Sequence, residues 1–474
     1  MPKSRRDSIG SIHSSNDFDE EEMSRRISER LEGMEVDVQL PSRSRGGMEN
    51  LRVSFTGGGA DVLSESGNNY HVDIDNQTCT CPDHTHRHSR CRHIEAASIA
   101  QGQISQGISS GSIQDSMISP NQVTSEYLRN ETDAEIQNSQ REYRDDGFFY
   151  NDNPEQFRED SERLLGEPIP YYYENVLNGS DITFGIELEF VNGDSDAIAR
   201  ELYDLGICSS PRMESYHSAG APGKWKLEKD GSVTSYIDNR GGELVSPILT
   251  DTPETWKTLE TVCEVAKRHG AQVNFDTGGH IHIGAENTLD GKRQRWRRFF
   301  KMNYGFEDVF HRLSGGEQGV FRGIADDHYT ESARSQSNIG ITTRLPDEAD
   351  IATYQNLISN ISEDRYRSIN LLPFASQKTI EFRAFNGTLT PEIIQANVKY
   401  AAGMVNAAER ARTKESENFN VTEHDKRRGE IINNYEEIEE SRSERAVMNV
   451  LDTVCSRKED KEHILSVIVR NRWI

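Results

Sequence analysis

The chain has 474 residues, 34% of them hydrophobic and 28% charged, with a formal net charge of −25. This length exceeds one ordinary core, and such polarity implies that part of the chain does not pack. The carboxylate excess excludes a role resting mainly on neutralising duplex phosphates. No apolar run reaches the ~18–20 residues that a membrane-spanning helix needs.

No apolar stretch follows the basic start Met1-Pro-Lys-Ser-Arg-Arg, so no secretory leader and a cytoplasmic location are expected. After Lys3 no lysine occurs until Lys224, while arginine is plentiful. An acidic, arginine-over-lysine chain has the composition of a halophilic protein; the alternative is an ordinary acidic chain with a biased arm.

Residues 1–50 are rich in Ser, Arg, Asp, Glu and Gly and are predicted to form a disordered arm. Residues 51–103 follow as a small unit. Leu51–Phe55 and Tyr70–Ile74 alternate with the period of strands, and a Cys/His cluster and a short helix come next. Residues 104–174 turn to Ser, Gln, Asn, Asp and Glu and predict a flexible linker. From 175 to 412, strand-like runs bounded by Gly, Asn and Asp alternate with helical stretches at 253–269, 293–311 and 391–412. Clustered strands predict an α+β domain rather than regular βαβ units. Residues 413–474 predict charged helices whose packing stays open.

Cys79-Thr-Cys81, a nine-residue spacer and Cys91-Arg-His93 supply three thiolates and an imidazole, a tetrahedral set for structural Zn²⁺. Four protein ligands leave no open position. The small unit has too little core to fold without the metal. The pattern resembles the SWIM zinc finger, a module associated with binding DNA or protein. His84, His86 and His88 fall in the spacer and are expected to be exposed. Arg87, Arg90 and Arg92 make the finger locally basic, leaving nucleic-acid or protein contact open.

Four strand-like runs share an oddity. Phe184-Gly-Ile-Glu187-Leu-Glu189-Phe190 sets two carboxylates on one face, and Gly278-Gly-His280-Ile-His282-Ile-Gly284 does so with two imidazoles. Thr379-Ile-Glu381-Phe-Arg383 pairs a carboxylate with a guanidinium, and Gly241-Gly-Glu243-Leu-Val adds a further carboxylate. A single wet strand face is commonplace. Four carrying only Glu, His and Arg are what divalent cations and a triphosphate require.

With Lys229-Asp-Gly-Ser232 and Arg367-Ser-Ile-Asn370, these blocks resemble the amidoligase family, related to glutamine synthetase and glutamate–cysteine ligase. The resemblance covers about half the chain. It implies a glutamine-synthetase-like antiparallel sheet with helices on one side, and an ATP-dependent ligase joining a carboxylate to an amine through an acyl phosphate. It implies ATP and Mg²⁺ (or Mn²⁺), with Glu187, Glu189, Glu243, His280 and Glu381 holding the metal. Arg383 would stabilise the transferred phosphate, Arg367 would contact phosphate or substrate, and Glu381 would act beside them. His282, Asp230, Ser232 and Asn370 would make supporting contacts. The substrates would be an amino acid, peptide or protein. An inert nucleic-acid- or protein-binding adaptor and a phosphotransferase on the same scaffold remain the alternatives. A flap keeping water from the acyl phosphate is expected at 315–329 or 334–346.

Overall fold

The strand expected at Phe184 runs to Val191 and lies inside a six-stranded sheet. The computed structural model describes residues 33–100 and 142–473. It leaves gaps at 42–47, 57–58, 65, 74–77, 88–90, 95, 98–99, 217, 219, 231–232, 234–239, 290, 322–352, 354, 356–357, 359–364, 413–420 and 439–441. Both flap candidates fall into the gap after Phe321 except for 315–321. That piece is mostly buried, with Gly315 against Asn471, and does not serve as a flap.

The N-terminal unit is a five-stranded antiparallel meander. It comprises β1 (Glu35–Pro41), β2 (Met48–Thr56), β3 (Gly59–Ser64), β4 (Asn69–Asp73) and β5 (Thr78–Cys79), followed by the short helix α1 (Pro82–Arg87). The arm expected through residue 50 therefore ends earlier, because Val38 and Leu40 alternate inward and join Leu51, Val53, Phe55, Val62 and the cysteines in one core.

The larger unit begins with α2 (Pro154–Gly166), β6 (Phe184–Val191), α3 (Ser195–Asp204), β7 (Lys226–Glu228), β8 (Gly241–Val245) and α4 (Pro253–Arg268). β9 (Gly279–Gly284), α5 (Arg293–Gly305), α6 (Glu307–Leu313), β10 (Ile369–Asn370), α7 (Pro373–Gln377) and β11 (Thr379–Phe382) follow. The chain closes with α8 (Pro391–Arg410), α9 (Glu423–Asn433), α10 (Tyr435–Ile438), α11 (Glu444–Val454) and α12 (Lys458–Ile468). Strand order is β10-β11-β9-β6-β8-β7, every pair antiparallel. This is the mixed α+β architecture expected.

Period-2 alternation divides the sheet. Ile186, Leu188, Phe190, Ile281, Ile283, Ile380 and Phe382 are almost fully buried on one face, where helices pack. Phe184 stacks on Trp256 of α4 with centroids 5.3 Å apart. Phe310 of α6 meets Phe382, Phe385 and Tyr400. Each such side chain contributes roughly 1.5–3 kcal/mol on burial. α8 is buried on nearly all sides. Gly403 lets α11 cross it closely, since a Cβ there would lie 2.5 Å from the Val454 carbonyl.

The flanking segments correct the boundaries drawn from sequence. Residues 142–174 are not linker: Tyr150, Phe157 and Leu164 join the main core, and the amides of Tyr150 and Asn151 donate to Asp452 at 2.9 Å each. Asp452 also pairs with Lys461 at 2.9 Å, both side chains being wholly buried. Residues 423–473 belong to the same core through Ile432, Val450, Leu451, Ile464 and Leu465. Charged sequence here reflects buried ion pairs, among them Lys399 with Asp460 at 2.6 Å.

Candidate functional site

Register brings the polar strand faces together. Across β6 and β9, Glu187 faces His280; across β6 and β8, Glu189 faces Glu243; across β9 and β11, His282 faces Glu381; across β10 and β11, Asn370 faces Glu381. These residues line one cleft of about 1930 Å³. Gly387 helps hold the end of β9 there, because a Cβ would lie 2.3 Å from the Thr277 hydroxyl.

Distances within the cluster are short. His280 Nδ1 lies 3.1 Å from Glu187 and 3.7 Å from Glu381, and its Nε2 lies 3.8 Å from Glu189. His282 Nε2 lies 3.2 Å from the other Glu187 oxygen. Asn370 donates to Glu381 at 2.6 Å, and Arg383 donates to its other oxygen. The backbone N–H of Gly278 donates to Glu189. The successive amides of Arg383 and Ala384 both donate to the Ser368 carbonyl, at 2.9 and 3.2 Å. That is the pattern of a β-bulge, here at the end of the strand carrying Arg383.

The electrostatics are those of crowded carboxylates. Burial, together with Glu187, Glu189, Asp230 and Glu228, pushes the Glu243 carboxyl up to about 10. Burial works against ionising Glu187, but His282 and His280 outweigh it and hold that carboxyl well below its ordinary range. The His282 imidazole is also buried, and Glu187 raises its pKa nonetheless.

Three sets of ligand atoms lie within 4.8 Å of one another: Glu187, His282 and Glu381; Glu187, Glu243 and His280; Glu189, Asp230 and Glu243. Oxygen-rich donors with an imidazole suit Mg²⁺ or Mn²⁺. A buried carboxyl held neutral by its anionic neighbours is what a divalent charge would relieve.

Of the expected residues, Glu187, Glu189, Asp230, Glu243, His280, His282, Asn370, Glu381 and Arg383 line the cleft. Ser232 lies outside the described residues. Arg367 does not line the cleft; Arg365 and Tyr366 form the wall there instead. Sequence reading also missed Glu228. It faces Glu243 across β7 and β8, is buried, and pairs with Lys226 at 2.6 Å. The alternation in Lys226-Leu-Glu228 carries the same signal as the longer strands.

In the small unit, Cys79, Cys81, Cys91 and His93 are buried with ligand atoms within 4.8 Å of one another. The amides of Cys81 and His84 donate to the sulfurs of Cys79 and Cys81 at 3.4 Å. Cys79 pulls the Cys91 thiol down to about 3, so the cluster already favours a thiolate. Both ring nitrogens of His93 are buried without a hydrogen-bond partner. A closed Cys3His set with an orphaned imidazole fits structural Zn²⁺. Arg92 is bound by Glu49 through both guanidinium arms, so its charge is not offered to a partner. The side chains of His86, Arg87, His88 and Arg90 lie outside the described residues.

Residues 180–405 match the family model described as a putative amidoligase enzyme, and residues 70–102 match the SWIM zinc finger. Among curated proteins there is no match. No helix among the described residues is long and apolar enough to cross a membrane.

Proposed function

Because residues 180–405 belong to the amidoligase family and residues 70–102 form a SWIM zinc finger, we propose that this chain is an ATP-dependent carboxylate–amine ligase. The observation that carries the reading is the in-register face of Glu187, Glu189, Glu243, His280 and Glu381 beside Arg383, all in one cleft. The sheet would be of the glutamine synthetase kind.

A carboxylate is a poor electrophile because its leaving group is oxide-like. Transfer of the γ-phosphoryl of ATP to a carboxylate oxygen breaks the Oβγ–P bond, releases ADP and leaves an acyl phosphate. The amine nitrogen then forms a bond to the acyl carbon, phosphate departs with the electron pair of the C–O bond, and the amine loses a proton. Mg²⁺ or Mn²⁺ held by Glu187, Glu189, Glu243, His280 and Glu381 would supply charge neutralisation for the polyphosphate.

The chain's own groups do the rest. Arg383 donates to the phosphoryl oxygens as charge spreads over them, and Asn370 fixes Glu381 by its 2.6 Å hydrogen bond. His282 and Asp230 contact substrate or nucleotide at the cleft wall. Zn²⁺ on Cys79, Cys81, Cys91 and His93 holds the finger folded, and the finger recruits a protein or nucleic-acid target.

Amine-dependent release of ADP tests the reaction class. ADP release accelerated by an amine, with the amine consumed, supports a ligase. Phosphorylation of the carboxylate indifferent to amine would assign a phosphotransferase instead.

A further inference from the structure

Five lysines and arginines line the cleft: Lys226, Lys229, Arg365, Lys378 and Arg383. Three are neutralised, Lys226 by Glu228, Lys378 by Glu286 and Arg383 by Glu381. Among the described residues, Arg365 and Lys229 have no carboxylate at ion-pair distance, in a chain with 79 acidic residues against 54 basic ones.

The neighbours of Arg365 are two phenols. Its Nη2 donates to the Tyr366 hydroxyl at 3.1 Å, its guanidinium lies 5.0 Å from the Tyr366 ring centroid, and the Tyr216 hydroxyl is a further hydrogen-bond partner. Arg365 itself is exposed.

Its position in the fold is as telling. Arg365 stands just before β10, at one edge of the sheet, and Tyr216 stands before β7, at the other. Six strands spaced by ~4.8 Å set those edges roughly 24 Å apart. Contact between the two residues therefore requires the chain to reach over the face that carries the carboxylates. Neutral hydroxyls fix the guanidinium fork there without cancelling its charge, so its capacity for charge-assisted hydrogen bonds is kept for a ligand. A planar fork matches two oxygens of one oxyanion.

Arg383 already serves the transferred phosphoryl in the ligase reading, on which this inference rests. The remaining demand is for an oxyanion that does not react. We propose that Arg365, seated between Tyr216 and Tyr366 with Lys229 on the same cleft, is an oxyanion-binding subsite for the non-reacting carboxylate of the substrate. The substrate is then a dicarboxylic acid or a carboxylate bearing a second anionic group. A nucleotide phosphate shares this chemistry, and the test separates the two.

Calorimetric titration of the full chain with Mg²⁺ uses three probes: glutarate, L-glutamate, and a non-hydrolysable ATP analogue. The variants are Arg365→Gln, Arg365→Lys and, as a control outside the cleft, Arg163→Gln. Arg365→Gln should weaken the dicarboxylates by about tenfold or more. Arg365→Lys should fall between, since it keeps charge and loses the fork, and Arg163→Gln should change nothing. The nucleotide analogue should stay within about twofold.

Weakening of the nucleotide analogue alone would overturn the dicarboxylate assignment and give the subsite to a phosphate. Unchanged affinities in an Arg365→Gln protein of wild-type Tm would overturn the subsite, as would a wild type that binds none of the probes. A wild type that binds dicarboxylate through Arg365 but no nucleotide would sink the ATP-dependent reading and leave the subsite standing.

Discussion

Glu187 and His280 face each other across β6 and β9, with Nδ1 3.1 Å from Oε2, and the same carboxylate reaches His282 through its second oxygen at 3.2 Å. One glutamate thus joins two of the three ligand sets. Glu187→Gln should lower affinity for Mn²⁺ by at least about tenfold, the loss that even an outer-shell change brings. Titration of Mn²⁺ followed by its paramagnetic signal measures this. The Tm of wild type should rise with Mg²⁺, while that of the variant should respond far less.

Glu243 gives the metal-free protein a pH dependence of known sign. Its carboxyl is raised from 4.5 to about 10, first by burial and then by Glu187, Glu189, Asp230 and Glu228. The folded state binds this proton more tightly than the unfolded chain does. The contribution is fully present below 4.5 and is lost as pH rises toward about 10. In chelator, Glu243→Gln should therefore be more stable than wild type on the alkaline side of that window, with the difference shrinking toward its acid end. Denaturant unfolding at several pH values checks this, and saturating Mg²⁺ should reduce the difference.

Zinc should be separable from catalysis as a structural element. His93→Ala or Cys91→Ser should abolish zinc release in a colorimetric chelator assay. Amide exchange over 35–100 should quicken while that of α8 stays slow, since the two units have separate cores.

Asp452 accepts from Tyr150 and Asn151 and pairs with Lys461, all within the core. Asp452→Ala should destabilise the large unit by about 3–5 kcal/mol, because it strands a buried lysine. A fragment spanning 175–412 should fail to fold cooperatively, whereas one spanning 142–474 should melt in a single transition. Chemical denaturation of both fragments decides it.

The chemistry of the site was legible in the sequence because a strand's period is 2, so Glu187, Glu189, His280, His282 and Glu381 had to share a face with their neighbours buried opposite. Glu228 escaped because β7 has only three residues, too few for alternation to stand out. Arg365 escaped in favour of Arg367 because the bulge opposite Ser368 breaks the regular pairing beside β10. The boundaries failed for another reason. Residues 142–174 and 423–473 look solvated by composition, yet Lys399, Lys461, Asp452 and Asp460 are buried in mutual ion pairs that no local pattern reveals.

Hydroxylamine trapping tests the central claim most directly. The protein is incubated with ATP, Mg²⁺ and pools of dicarboxylic acids, amino acids and peptides, and ADP and hydroxamate are read together for wild type, Glu381→Gln and Arg383→Ala. An activated carboxylate predicts hydroxamate in proportion to ADP from wild type, with both lost in the two variants. ADP without hydroxamate, or hydroxamate that persists in Glu381→Gln, would contradict it.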